Sequence, residues 1–194
     1  MKDEGHKIGE IIDFGRYKWR VLAVEADKEL LITEDIIEQR AYHDTYTATN
    51  WEDCDLRNKY LKTEFYNSFS EEKKRQIILW ENENKANQWY GTDGGNATQD
   101  YIFLLSLEEV CKYFGDGSST NLLENKGNQD YWIGDTNNTS RLAKYSNNWA
   151  GWWLRSPGDF SSSAAYVYND GFVDVLGIGV TSTDRVRPAL WLKR

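Results

Sequence analysis

The stretch Ala164-Ala165-Tyr166-Val167-Tyr168-Asn169-Asp170-Gly171-Phe172-Val173-Asp174-Val175-Leu176 admits few foldings. Small apolar residues alternate with rings on both sides of Asn-Asp-Gly, the period of a strand with one face buried. With Asn169, Asp170 and Gly171 as a three-residue loop, Tyr168 faces Phe172, Val167 faces Val173, Tyr166 faces Asp174 and Ala165 faces Val175. A two-residue loop would pair Val167 with Asp174 and mix the faces, because a slip of one residue turns every side chain over. The longer loop also puts Gly171 at the left-handed position such loops need. We therefore expect a hairpin with Ala165, Val167, Val173 and Val175 inside. Tyr166, Tyr168, Phe172 and Asp174 should project from the other face, partly exposed, next to the Ser-rich loop 159–163.

The remainder reads as a mixture of short strands and short helices. Segments 7–15, 17–24 and 29–33 are β-branched and aromatic runs bounded by Gly and Asp, which predicts a meander. Trp51, Leu56, Tyr60, Leu61 and Phe65 recur at helical spacing and predict a helix over about 52–66, with Thr49 or Asn50 as its cap. Ser70 before Glu71 and Glu72 starts a second helix running to about Leu79. Residues 82–99 are Asn- and Gly-rich and read as a loop. Residues 101–105 form a buried-strand candidate. Ser106 and Glu109 make a capping box for a helix to Phe114, stopped at Gly115. Residues 115–150 read as loop, 152–158 as a strand, and 186–192 as the closing strand. No linker composition divides the chain, so one domain over 1–194 is expected, with its N- and C-terminal strands in one sheet.

Charge and motif content narrow the function. Twenty-three basic against 31 acidic residues leave a net charge of −8. No cluster of Lys and Arg is present for phosphates, so nucleic acid is not an expected partner. The run Glu71-Glu72-Lys73-Lys74-Arg75 reads as a solvated helix face. Cys54 and Cys111 lack metal-ligand spacing, as do His6 and His43, so no metal or other cofactor is expected. The two cysteines read as buried free thiols, with a single disulfide as the alternative. No apolar stretch reaches membrane-spanning length, and Met1 to His6 lack the apolar region of a signal peptide; the compartment stays open. No GxSxG, HExxH, P-loop or GxGxxG context occurs.

Several segments together carry a resemblance. Gly15-Arg16-Tyr17-Lys18-Trp19-Arg20-Val21-Leu22, then residues 51–57, Phe103-Leu104-Leu105-Ser106, Trp152-Trp153-Leu154-Arg155-Ser156-Pro157-Gly158 and Val186-Arg187-Pro188-Ala189-Leu190 resemble a bacterial domain family of unknown function frequent in gut Firmicutes. The C-terminal half of that family is similar to C-type-lectin-like domains of the formylglycine-generating-enzyme type, which include the variable proteins of diversity-generating retroelements. The resemblance implies an α+β, C-type-lectin-like fold. The copper-binding cysteine pair of the sulfatase-activating oxidases is not carried over, since both cysteines precede residue 152. The Glu-Pro-Asn or Gln-Pro-Asp tripeptide of calcium-dependent sugar binding is missing as well.

Retroelement diversification of AAC or AAT codons cannot produce Lys, Glu, Gln, Met or Trp. None of these occurs from Ser156 to Leu190. The expected function is recognition of a protein or glycan through a C-terminal, retroelement-diversified surface, without catalysis. Its residues would be Arg155, Asp159, Phe160, Ser161, Ser162, Ser163, Tyr166, Tyr168, Asn169, Phe172, Asp174 and Leu176. Trp152, Trp153, Arg155 and Arg187 read first as core rings and bonded arginines, with one arginine at a ligand groove as the functional alternative. A carbohydrate-active or other catalytic domain using loop carboxylates is the alternative function.

Overall fold

A computed structural model describes residues 5–114 and 132–194. The expected helix stop at Gly115 and most of the first half of the 115–150 stretch lie outside the described residues, as do residues 1–4.

Two four-stranded antiparallel sheets organise the chain. The first has the order β1 (Ile11–Phe14), β2 (Tyr17–Val24), β3 (Lys28–Thr33), β14 (Ala189–Lys193). The N- and C-terminal strands thus share a sheet, at opposite edges. The outer edge of β14 is covered: Phe103 and Ala189 exchange both backbone bonds, and the Ile78 N–H donates to the Trp191 carbonyl. An edge so covered offers no template for further pairing.

The second sheet has the order β10 (Trp152–Pro157), β11 (Ser163–Val167), β12 (Val173–Gly179), β7 (Trp132–Ile133). Three two-stranded pieces complete the β structure of the described residues. They are β4 (Glu38–Ala41) with β13 (Thr183–Val186), β5 (Trp80–Asn82) with β6 (Thr98–Asp100), and β8 (Ala143–Tyr145) with β9 (Asn148–Ala150). The described residues form an α+β arrangement, mostly antiparallel sheet with a few short helices.

Among the described residues the helices are α1 (Leu56–Phe65), α2 (Glu71–Gln76), α3 (Leu107–Tyr113) and α4 (Asn138–Arg141). α1 is wound as a π-helix, and its C-terminal Tyr66 N–H reaches the Leu61 carbonyl five residues back. Asn50 does not cap α1; its side chain accepts from Asp53 N in the turn before the helix. α2 is capped by Ser70 but stops at Gln76, short of Leu79. Ile77 and Ile78 are drawn off to pair with the C-terminal strand. α3 carries both bonds of the Ser106/Glu109 capping box.

The segment 82–99 is not all loop. Its ends form the β5–β6 hairpin, and Asn82, Asn87 and Thr98 are buried. Segment 101–105 is buried from Ile102 onward, yet only Phe103 pairs with a strand. The 143–150 stretch is a second hairpin around Ser146 and Asn147, both at positive φ (49° and 69°), as a two-residue primed turn requires.

Rings fill the core. Trp19, Trp51, Trp152 and Trp153 are fully buried, as are Arg141 and Arg187. Both of these arginines are tied to backbone carbonyls. Arg187 donates to the carbonyls of Thr33, Arg141 and Glu34, and its guanidinium lies over Trp152 and Phe114. Arg141 pairs with Asp135 and donates to the Gly171 carbonyl. Such pairing is what burial of these cations demands. Asp100 accepts from Trp51, Arg57, Asn82 and Thr98. Cys54 and Cys111 are free and buried, and burial pushes each thiol up to about 12.

Candidate functional site

The hairpin of β11 and β12 has the expected loop. Tyr166 pairs with Asp174 and Val167 with Val173, Gly171 N–H donates to the Tyr168 carbonyl, and Gly171 sits at φ 85°. Any Cβ at Gly171 would come within 1.9 Å of the Asn138 carbonyl oxygen, so the tip is clamped against α4. Below Asp174 the register departs from expectation. Ala164 pairs with Ile178, so Val175, Leu176 and Gly177 form a bulge, with Gly177 at φ 78° and its N–H on Asp174 Oδ1.

Ala165, Val167, Val173 and Val175 are buried as expected. The opposite face is partly exposed, as expected, at two of its four residues only. Tyr166 and Asp174 are buried, at 7% and 4% exposure, whereas Tyr168 and Phe172 are half-buried. Tyr166 packs edge-on against Trp153, its hydroxyl meets Asp174, and burial raises both groups above their ordinary pKa values. Phe172 lies on the backbone of Gly134. A neighbouring strand that reads as loop in the sequence, β7, brings Trp132 against Tyr168, with ring centres 4.5 Å apart.

Of the twelve expected site residues, Tyr166 and Asp174 face each other within the hairpin, and the other ten fall into three places. Asp159, Phe160, Ser161, Ser162, Ser163 and Leu176 gather where β11 begins; Asp159 Oδ1 accepts from Phe160 N and Ser163 Oγ, and its N–H donates to the Leu176 carbonyl. Of these, Phe160 and Ser161 are exposed. Tyr168, Asn169 and Phe172 lie at the far end of β11. Five residues at about 3.3 Å each separate the two groups, so the rings do not adjoin the Ser-rich loop. Arg155 stands apart from both. It is buried, forms a two-pronged pair with Glu109, and donates to the Leu104 carbonyl.

Two clefts deserve comparison. One, of about 310 Å³, is lined by Trp80, Glu83, Lys85, Glu108, Glu109 and Arg155 among others. Its charges are largely matched internally, Lys85 to Glu108 at 2.9 Å and Arg155 to Glu109. The other, of about 330 Å³, joins Trp149 of β9, Tyr166, Tyr168 and Asn169 of the hairpin, and Asp184 and Arg185 of β13. Gly151 lies at its floor, where a Cβ would approach the Val167 carbonyl to 2.7 Å and Asp184 Oδ2 to 3.5 Å.

The second cleft holds an incompletely used carboxylate. Asp184 is 5% exposed. Its Oδ1 accepts from Arg185 N at 2.9 Å and Arg185 Nη1 at 3.3 Å, which fixes the carboxylate. Among the described residues no donor bonds Oδ2. Burial raises the Asp184 pKa, against the opposing pull of Arg185. Beside it Trp149 is 53% exposed, with Lys144 Nζ 4.9 Å from the ring centre. Trp149, Asp184 and Arg185 escape the sequence reading. Trp149 lies in a stretch that reads as loop, and Asp184 comes from a strand that the hairpin pattern does not include. The turn pair Ser146-Asn147 was the available signal for the first.

A family model for a domain of unknown function, DUF6273, matches residues 26–194. The chain belongs to this family. The DUF6273 match takes in both clefts and the whole of the second sheet, while β1 and β2 precede it. No curated protein and no solved structure matches the chain. Among the described residues no group of three or more His, Cys, Asp or Glu is placed to hold a metal ion, and no helix is long and apolar enough to cross a membrane.

Proposed function

We propose that this chain is a ligand-binding module of C-type-lectin-like fold that takes a protein or glycan ligand on its C-terminal face. The observation that carries the reading is the cleft of Trp149, Tyr168 and Asp184. It combines an exposed indole, a half-buried phenol ring and a carboxylate oxygen that no donor among the described residues bonds. Exposed rings grouped beside a few convergent polar atoms are what small binding sites use. The lectin-like assignment draws support from the closing strand β14, which returns to the N-terminal meander, and from the separate second sheet that carries the hairpin.

Diversification by a retroelement would act on the exposed Phe160, Ser161 and Asn169 and the half-buried Ser162 and Tyr168. More than half of Ser156 to Leu190 is buried, which by itself disfavours Lys, Glu and Gln. The missing Trp is the part of the pattern that burial does not account for. The second reading, catalysis by carboxylates, is favoured by the raised pKa of Asp184 in a cleft.

An array bearing both peptides and glycans tests the binding reading. Some feature should bind the wild-type protein at least about tenfold more tightly, about 1.4 kcal/mol, than the Trp149→Ala/Tyr168→Ala variant. If no feature separates the two proteins, the reading fails.

A further inference from the structure

Resting on that reading, we infer that the cleft between Trp149, Tyr168 and Asp184 takes the sugar rings of a neutral glycan. Size argues first. A space of about 330 Å³ sits at the low end of small-molecule sites, about 300–1,000 Å³. A stable protein partner covers about 800 Å² on each side, far more than the cleft provides.

The chemistry of the lining points the same way. A pyranose ring has an apolar C–H face and a hydroxylated rim. It needs a flat π-surface beside fixed hydrogen-bonding groups. Trp149 supplies the surface, held by Lys144 on the neighbouring strand of its hairpin. Tyr168 adds a second ring to the lining and is backed edge-on by Trp132, with ring centres 4.5 Å apart.

Asp184 supplies the rim contact. Both Arg185 bonds fall on Oδ1, so Oδ2 remains to accept from a hydroxyl. Asn169, exposed at the hairpin tip, adds a side-chain amide able to donate and accept.

Charge disfavours the acidic sugars. The chain carries −8 overall. Among the residues that line the cleft, the cation Arg185 lies against Asp184 at 3.3 Å, so a uronate or sulfate would meet that carboxylate.

The test is a calorimetric titration of the purified chain. The probes are neutral oligosaccharides (β-1,4-glucan, β-1,4-xylan, β-1,3-glucan and α-1,6-mannan fragments), with glucuronate oligosaccharides and unglycosylated peptides as separate arms. At least one neutral oligosaccharide should bind, with a tenfold or greater loss in Trp149→Ala, a smaller loss in the ring-retaining Trp149→Phe, and unchanged melting. Binding that is absent across the neutral sugars, or indifferent to Trp149→Ala, overturns the inference, as does preference for glucuronate. If only peptides bind, and do so through Trp149, the glycan inference falls and the binding-module reading stands. If nothing Trp149-dependent binds in any arm, both fall.

Discussion

The phenol of Tyr166 lies between Trp153 and Tyr168, 6.4 and 5.4 Å from their ring centres, and its hydroxyl reaches Asp174. It closes the core on one side and floors the cleft on the other. Trp149, on the same cleft, is mostly solvent-facing. Two rings of one site should therefore answer truncation differently. Tyr166→Ala removes a buried ring and should cost about 3–5 kcal/mol; at roughly 2–4 °C per kcal/mol for a chain of this size, the melting midpoint falls by many degrees. Trp149→Ala should stay within about 0.5 kcal/mol of wild type, as exposed substitutions do. Thermal melts of both variants check this, and equal losses would contradict the division of roles. The sequence carries the alternation that separates Val167 from Tyr166, since register depends on side-chain period alone. It carries no sign that Tyr166 is covered, because the ring packed against it, Trp153, comes from another strand.

Elements were legible wherever a local hydrogen bond defines them. The Ser106/Glu109 box, the Ser70 cap and the Asn169–Gly171 loop need only neighbours in sequence, and all three are present. Elements that depend on a distant partner were not. β5 and β6 are polar strands that pair across a loop, and α2 ends early because Ile77 and Ile78 join the C-terminal strand. The bulge at Gly177 likewise follows from Asp174 accepting its N–H, a contact that no alternation pattern encodes. The hairpin tip gives the clearest test at this scale. Gly171 combines φ 85° with a 1.9 Å approach of any Cβ to the Asn138 carbonyl. Gly171→Ala should cost at least about 1–2 kcal/mol from the left-handed backbone alone, with the clash in addition. Urea unfolding should show a lower midpoint at an unchanged slope; an unaltered midpoint would mean that the tip is not clamped.

For the whole molecule, the layout explains why the cleft is where it is. The N-terminal meander and β14 form one sheet, whose outer edge is covered by Phe103 and Ile78. β10, β11, β12 and β7 form another, and β13 with β4 runs alongside, tied in where the Trp153 indole donates to the Arg40 carbonyl. The cleft opens where β9, the hairpin and β13 meet, a junction of three elements contributed by residues 149–185. Sequence reading found the hairpin wall, Tyr166, Tyr168 and Asn169. It missed the other two walls, Trp149 and Asp184, because only tertiary pairing brings them there. The Ser-rich loop and Arg155, grouped with the hairpin by proximity in sequence, lie elsewhere.

The claim that this junction binds a ligand is tested most directly by the nine indole N–H resonances of the protein, one for each Trp. Titration with the neutral oligosaccharides should shift the Trp149 signal saturably, with a smaller shift for Trp132, and leave Trp19, Trp51, Trp152 and Trp153 in place. Saturable shifts confined to indoles away from the cleft, or no shift at any indole with any of these sugars, would contradict it.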